Sequence, residues 1–198
     1  MARPKSFDED RALDAAMHAF WANGYHATST QDLCAATGLG RSSVYHAFVS
    51  KHELFTRALT RYVESMTAGH LAILEDDSRS AVDRVRALLA FVVDGEQAHR
   101  RDGRGLGCLS VNTVVELGGD DAVVARLLDR DRERRHAALR AVVERGQRDG
   151  EFRTGQDPAH LVRFLDSVVA GMRVASQGGA DRADLEGVAA TALSALTG

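Results

Sequence analysis

Arg41, Ser42 and Ser43 stand side by side, Tyr45 and His46 follow close behind, and Thr30, Gln31 and Lys51 flank them in the chain. The chemistry these residue types share is polar recognition of base edges and phosphates. An arginine fork can bond guanine O6 and N7 in parallel, a glutamine amide can bond adenine, and a serine hydroxyl can take either role. Lys51 follows Ser50, which with Glu53 reads as a helix cap. A helix N-terminus offers free amides and a positive dipole end, so phosphate can bind there without high overall charge. Taken without their spacing, an arginine and two serines on an exposed helix are ordinary solvated surface. His46 and His52 are either phosphate partners when protonated or exposed residues with no duty.

The rival chemistry is that of the cysteines. Cys34 and Cys108 match neither zinc nor thioredoxin patterns, and no disulfide framework is expected. Cys108 with His99 or His136 as base would make a nucleophile pair, but no catalytic motif surrounds any of them. We therefore expect no enzyme, no metal and no cofactor. The charged stretch Met1 to Asp10 lacks an apolar signal region, and no apolar run approaches the ~18 residues of a membrane span. The expectation is a cytoplasmic protein without a membrane partner.

The elements that position these residues are helical. The 198 residues are 44% hydrophobic and 27% charged, a globular composition, and the only prolines are Pro4 and Pro158. An all-α fold follows. Net charge is -3, and residues 1 to 60 carry six basic and six acidic groups, so contact with a polyanion must rest on placement.

Ser6 with Glu9 reads as a capping box for a first helix at about 7 to 23, whose apolar stripe is Leu13, Ala16, Met17, Phe20 and Trp21. Ser29 with Asp32 opens a second helix over 30 to 37, and Arg41 to Phe48 forms a third. Cys34 is expected to fill the core of this region. The fourth helix runs through Phe55, Leu59, Tyr62 and Met66. Two short helices joined by Gly38-Leu39-Gly40, behind a longer supporting helix, have the layout of a helix-turn-helix, whose second helix enters a major groove. Arg3 and Lys5 are either an arm to the phosphate backbone or a solubilising start.

The run from Thr30 to Phe55, TQDLCAATGLGRSSVYHAFVSKHELF, resembles the tetracycline-repressor (TetR) family. The likeness covers motif detail over about residues 8 to 58 and helix count beyond. It implies nine helices, with a helix-turn-helix domain over 1 to 50 and a ligand-binding and dimerisation domain over 51 to 198, connected by helix 4 at about 51 to 75. By position it places Thr30 and Gln31 near a phosphate and a base edge, Arg41, Ser42 and Ser43 toward the groove, and Tyr45 and Lys51 on phosphates. Two residues depart from the pattern. Ala47 stands where an aromatic or histidine touches phosphate, and Gly40 replaces a Ser or Thr cap, which implies weaker affinity.

Farther along, helices are expected from Val82 to near Gly103, from Cys108 to Leu117 as a short buried segment, from Asp121 to Arg148, and from Asp157-Pro158 to about Ser176, with a last one after Asp181 and Asp184. The resemblance implies that the last two helices pair with their copies. The pairing stripe would be Leu161, Leu165, Val168, Met172, Leu185, Val188, Ala192 and Leu196. It also implies a small-molecule inducer, enclosed by Phe91, Leu106, Cys108, Leu109, Val114 and Met172 with polar groups from Asn112, Thr113 and Glu116. Glu116 is otherwise a surface residue near a helix end, and Asn112 a local hydrogen-bonding group. A Gly-Cys-Leu at residue 108 resembles a subset of these regulators that includes thiol-reactive members. An unreactive buried cysteine is the alternative reading. The partners implied are a palindromic double-stranded DNA operator, the inducer and a second copy of the chain. The expected action is repression, relieved by the inducer.

Overall fold

The structure, a computed structural model, describes residues 8–101 and 104–197, and among these residues nine α-helices account for the fold. They are α1 (Glu9–Asn23), α2 (Thr30–Thr37), α3 (Arg41–Phe48), α4 (Lys51–Leu74), α5 (Ala81–Ala98), α6 (Leu109–Leu117), α7 (Ala122–Arg148), α8 (Pro158–Gln177) and α9 (Arg182–Thr197). The only extended structure described is an antiparallel ladder of two-residue strands, β1 (Arg100–Arg101) and β2 (Arg104–Gly105), between α5 and α6.

Local chemistry sets the boundaries. Ser29 and Asp32 close a reciprocal capping box on α2, and Gly38 ends that helix at φ 69°, in the left-handed region that a Cβ disfavours. The Ser50 hydroxyl accepts from the Glu53 amide at 3.0 Å, and the Asp157 carboxylate accepts from the Ala159 amide at 2.8 Å ahead of Pro158. The first helix starts later than expected: Asp8 is its cap, accepting from the amides of Asp10 and Arg11. Ser6, Arg3 and Lys5 lie outside the described residues.

Two compact units emerge, one comprising the chain up to Glu64 with Leu109–Leu127, the other Ser65–Cys108 with Leu128–Gly198. In the first, α2 and α3 are each too short to be stable alone. They are held because Leu33, Val44 and Phe48 are buried with Phe20, Trp21, Leu54, Phe55 and Tyr62 of α1 and α4. Burial of a side chain of this size stabilises by roughly 1.5–3 kcal/mol. The rings are arranged edge to face, Phe20 with Phe55 and Trp21 with Tyr62 both at 5.0 Å between centroids. Cys34 is only half-buried, because Leu33 is the one side chain α2 turns fully inward. The α6 helix is not the buried segment expected either: Leu109, Thr113 and Leu117 are buried, whereas Val114 and Val115 are 54% and 84% exposed.

In the second unit α5, α8 and α9 pack on one another around Val85, Leu89, Val92, Leu165, Met172, Leu185 and Leu196. The Glu151 carboxylate takes the Val82 amide at 2.9 Å, completing the N-terminus of α5.

Candidate nucleic-acid interface and effector core

The α2–α3 pair presents its polar residues outward. Gln31, Arg41, Ser42 and His46 are exposed, while Thr30, Ser43 and Tyr45 are half-buried along the seam between the two helices. That seam is stitched by a hydrogen bond of 3.0 Å between Thr30 Oγ1 and Tyr45 Oη. This bond, opposed by partial burial and assisted by Arg41, holds the Tyr45 phenol below its usual range. Arg41 itself lies over the Tyr45 ring, 5.8 Å from its centroid. At the start of α3, Gly40 offers no side-chain cap, so the first amides of α3 are free to meet an anion.

Between α3 and α4 the chain reverses through Val49, at φ 61° and ψ -50°, with the Ser50 amide donating to the Phe48 carbonyl at 2.5 Å. This is a γ-turn of the strained sense on a β-branched residue. Lys51 opens α4 there. Its ammonium sits 4.5 Å from the Tyr25 ring centroid and 3.4 Å from the His26 carbonyl oxygen, on the turn between α1 and α2. His52, by contrast, is engaged: its Nε2 is 2.5 Å from Asp121 Oδ2. Asp121 also accepts from the Val123 and Val124 amides, and the latter bond leads in lowering its pKa.

The residues expected around an inducer fall into both units. Leu109, Asn112, Thr113 and Glu116 belong with the helix-turn-helix unit, and Phe91, Leu106, Cys108 and Met172 with the other. Thr113 is buried and its hydroxyl donates to the Leu109 carbonyl at 2.7 Å. Glu116 is occupied by backbone: its two oxygens accept from the Tyr25 and His26 amides at 2.8 and 2.6 Å. Neither of those two groups faces a cavity with its polar atoms unspent.

In the second unit Cys108 is buried, and its Sγ receives the Arg173 guanidinium, which is itself buried. The Phe91 ring stands edge-on to His70 at 5.5 Å. His70 is 5% exposed and its Nε2 has no hydrogen-bond partner among the described residues. Burial, with Arg173 and Arg135 nearby, pushes its pKa from 6.5 to about 3 against the opposing pull of Asp166. Glu96 is also buried, and burial raises its carboxyl pKa despite Ser176 and Arg173. Sequence reasoning missed His70, Glu96, Arg173 and Ser176. The available signal was a charged or polar residue interrupting the apolar stripes of α4, α5 and α8.

The pairing stripe needs correction. Leu161, Leu165, Met172, Leu185, Ala192 and Leu196 are at most 4% exposed and form the core of the single chain, and a side chain so covered has no surface left for a copy. Val168 and Val188 do line an open groove of about 590 Å³ on the outer side of α8 and α9, with Phe164, Gly187 and Thr191. Among the described residues no group of three or more His, Cys, Asp or Glu is placed to hold a metal, and no helix is long and apolar enough to cross a membrane.

Comparison with known proteins agrees with this geometry. Residues 12–58 match the model of bacterial regulatory proteins of the tetR family, and residues 81–192 match the tetracyclin repressor-like C-terminal domain. The chain is 32% identical over 191 residues to the HTH-type transcriptional repressor ComR of Escherichia coli K12, covering 96% of this chain and 90% of that protein. It is similar in structure, at 30% identity and TM-score 0.83, to a cysteine mutant of the TetR-family regulator CifR complexed with 26-base-pair operator DNA, over 98% of this chain and 100% of the other. A TetR-family regulator from Agrobacterium tumefaciens shares the fold, with TM-score 0.84 at 20% identity over 96% and 97% of the two chains. Two short helices seated on α1 and α4, followed by five further helices, and the matches to both family models over residues 12–58 and 81–192 place this chain in the TetR family of bacterial DNA-binding transcriptional regulators.

Proposed function

We propose that this regulator is a repressor that binds a palindromic operator as a homodimer and is released by a small molecule. The observation that carries the reading is the outward display of Gln31, Arg41 and Ser42, with Lys51 at the start of α4, on a unit whose short helices are anchored by the buried Leu33, Val44 and Phe48. Arg41 and Gln31 read bases, Ser42 and Ser43 adjust to either partner, and Thr30, Tyr45, His46 and Lys51 meet phosphates. The operator complex of CifR supports the same use of this fold.

In this reading residues 1–50 are the reader and 51–198 the sensory and pairing body, with α4 connecting them. Pairing uses the outer groove of α8 and α9, where Phe164 and Val188 are 40% and 43% exposed. The inducer binds among Phe91, Cys108, Met172, His70 and Arg173. Its binding favours a dimer whose recognition helices are mis-spaced, and a coupling of about 1–3 kcal/mol gives roughly 5- to 150-fold release. A titration of duplex binding against salt tests the DNA-reading step. A steep loss of affinity is expected, with a slope reduced by about one in Lys51→Ala, while absence of duplex binding at low salt overturns the reading.

A further inference from the structure

Glu116 reaches across 90 residues of sequence to bind the turn between α1 and α2 with both carboxylate oxygens, Oε2 to the Tyr25 amide at 2.8 Å and Oε1 to the His26 amide at 2.6 Å. Both donors follow the end of α1, where the chain has left the helix and no carbonyl of its own ladder is in register with them. Two charge-assisted bonds from one rigid carboxylate fix two successive peptide planes at once.

The turn is shaped to admit this carboxylate. Gly24 lies at φ 82°, and a Cβ built on it would stand 2.9 Å from Glu116 Oε2, so a side chain there would force the carboxylate to shift while also straining the backbone. The Thr28 hydroxyl, fully buried, donates to the Gly24 carbonyl at 2.6 Å and closes the other side of the turn. The Tyr25 ring is lodged against Phe55 at 4.8 Å and Phe20 at 6.3 Å. The same two residues then carry Lys51, through the Tyr25 ring face and the His26 carbonyl. One segment thus receives Glu116 on its amides and seats the Lys51 ammonium on its ring and carbonyl.

We propose that Glu116 is a positioning residue for DNA binding: its carboxylate clamps the Tyr25–His26 turn and thereby fixes Lys51 where a phosphate must meet it. The inference rests on the DNA-reading role given above to this unit. It assigns α6 to the reading apparatus, although the acid makes no contact with DNA. It also gives the acid a sign that charge alone does not. A carboxylate that merely faced a duplex would weaken binding, and its removal would strengthen it. A clamp works in the opposite direction.

The test uses the full-length chain, Glu116→Ala and Glu116→Gln, with two probes: a duplex of the sequence the wild type selects from a random pool, and a random-sequence duplex. Amide exchange of Tyr25 and His26 is followed by NMR in the same proteins. In Glu116→Ala both amides exchange at least about ten-fold faster, affinity for the selected duplex falls roughly ten-fold, the scale of one charge-assisted hydrogen bond, and the salt slope drops by about one as it does in Lys51→Ala. The base preference set by Arg41 is unchanged. Glu116→Gln keeps one acceptor oxygen and the side-chain shape, so it protects one of the two amides and falls between the other two proteins, which keeps the test decisive should the alanine variant fold poorly. Unchanged protection of Tyr25 and His26, or affinity equal to or above that of the wild type in the folded glutamine variant, overturns the clamp. A wild-type chain that binds neither duplex overturns the DNA-reading role itself, whatever the two amides do.

Discussion

The Thr30 hydroxyl and the Tyr45 phenol meet at 3.0 Å, joining the first residue of α2 to the middle of α3. This bond sets the angle between supporting and recognition helices at the surface the DNA would contact. Tyr45→Phe is therefore expected to lower duplex affinity roughly 2- to 10-fold, the scale of one net hydrogen bond. Thr30→Ala should have a similar effect, and the double variant little more than either alone, because both remove one link. Fluorescence anisotropy with a labelled duplex checks this, and additive losses would show that the two hydroxyls act independently.

Val49 occupies a backbone conformation that its branched side chain disfavours, and the side chain is 78% exposed, so little packing compensates. Val49→Gly should relieve that strain and raise unfolding stability by about 1–2 kcal/mol, less the backbone entropy glycine adds to the unfolded chain. Urea unfolding measures it, and a destabilised variant would mean that the turn is not strained.

His70 gives the second unit a pH signature. Its native pKa, about 3, lies below the ordinary 6.5, so the unfolded chain binds the proton more readily. The contribution to stability is complete above about pH 6.5 and is lost as pH falls toward 3. Arg173 and Arg135 add to burial in this direction, and Asp166 opposes them. Replacing the imidazole by a neutral amide in His70→Gln should reduce the stability lost between pH 7 and pH 5 by about 2 kcal/mol. Chemical denaturation at the two pH values reports it, and parallel curves for the two proteins would remove His70 from the account.

Val188 stands in the outer groove with Phe164 and Val168. Under the proposed pairing through this groove, Val188→Glu buries a charge from each copy in a low-dielectric contact, at a cost of several kcal/mol. Sedimentation should then show monomers in place of the dimer proposed for the wild type, and duplex affinity should fall in step. A variant as dimeric as the wild type would move the pairing surface elsewhere.

The reading elements were legible in the sequence because their signals are local. Ser29 with Asp32, Gly38, Ser50 with Glu53 and Asp157-Pro158 each act within a few residues, and the corresponding boundaries appear where they point. What was not legible depends on contacts distant in sequence. The apolar stripes of α8 and α9 do not state which side their own chain covers, so core residues such as Leu165 and Leu185 passed for a pairing surface. Glu116 looked like a pocket residue or a surface acid, since nothing near it in the chain announces donors at Tyr25 and His26. The Arg173–Cys108 contact likewise joins residues that no helical period relates.

Operator reading by this chain is tested by selection of bound duplexes from a random pool by the full-length chain, repeated with Arg41→Ala. The expected result is a two-fold symmetric sequence with half-site centres about 34–36 Å apart or a near multiple, and loss of preference at one position per half-site in the variant, at about 1–3 kcal/mol. A monomeric protein that enriches no sequence, or a variant with the wild-type preference intact, would contradict it.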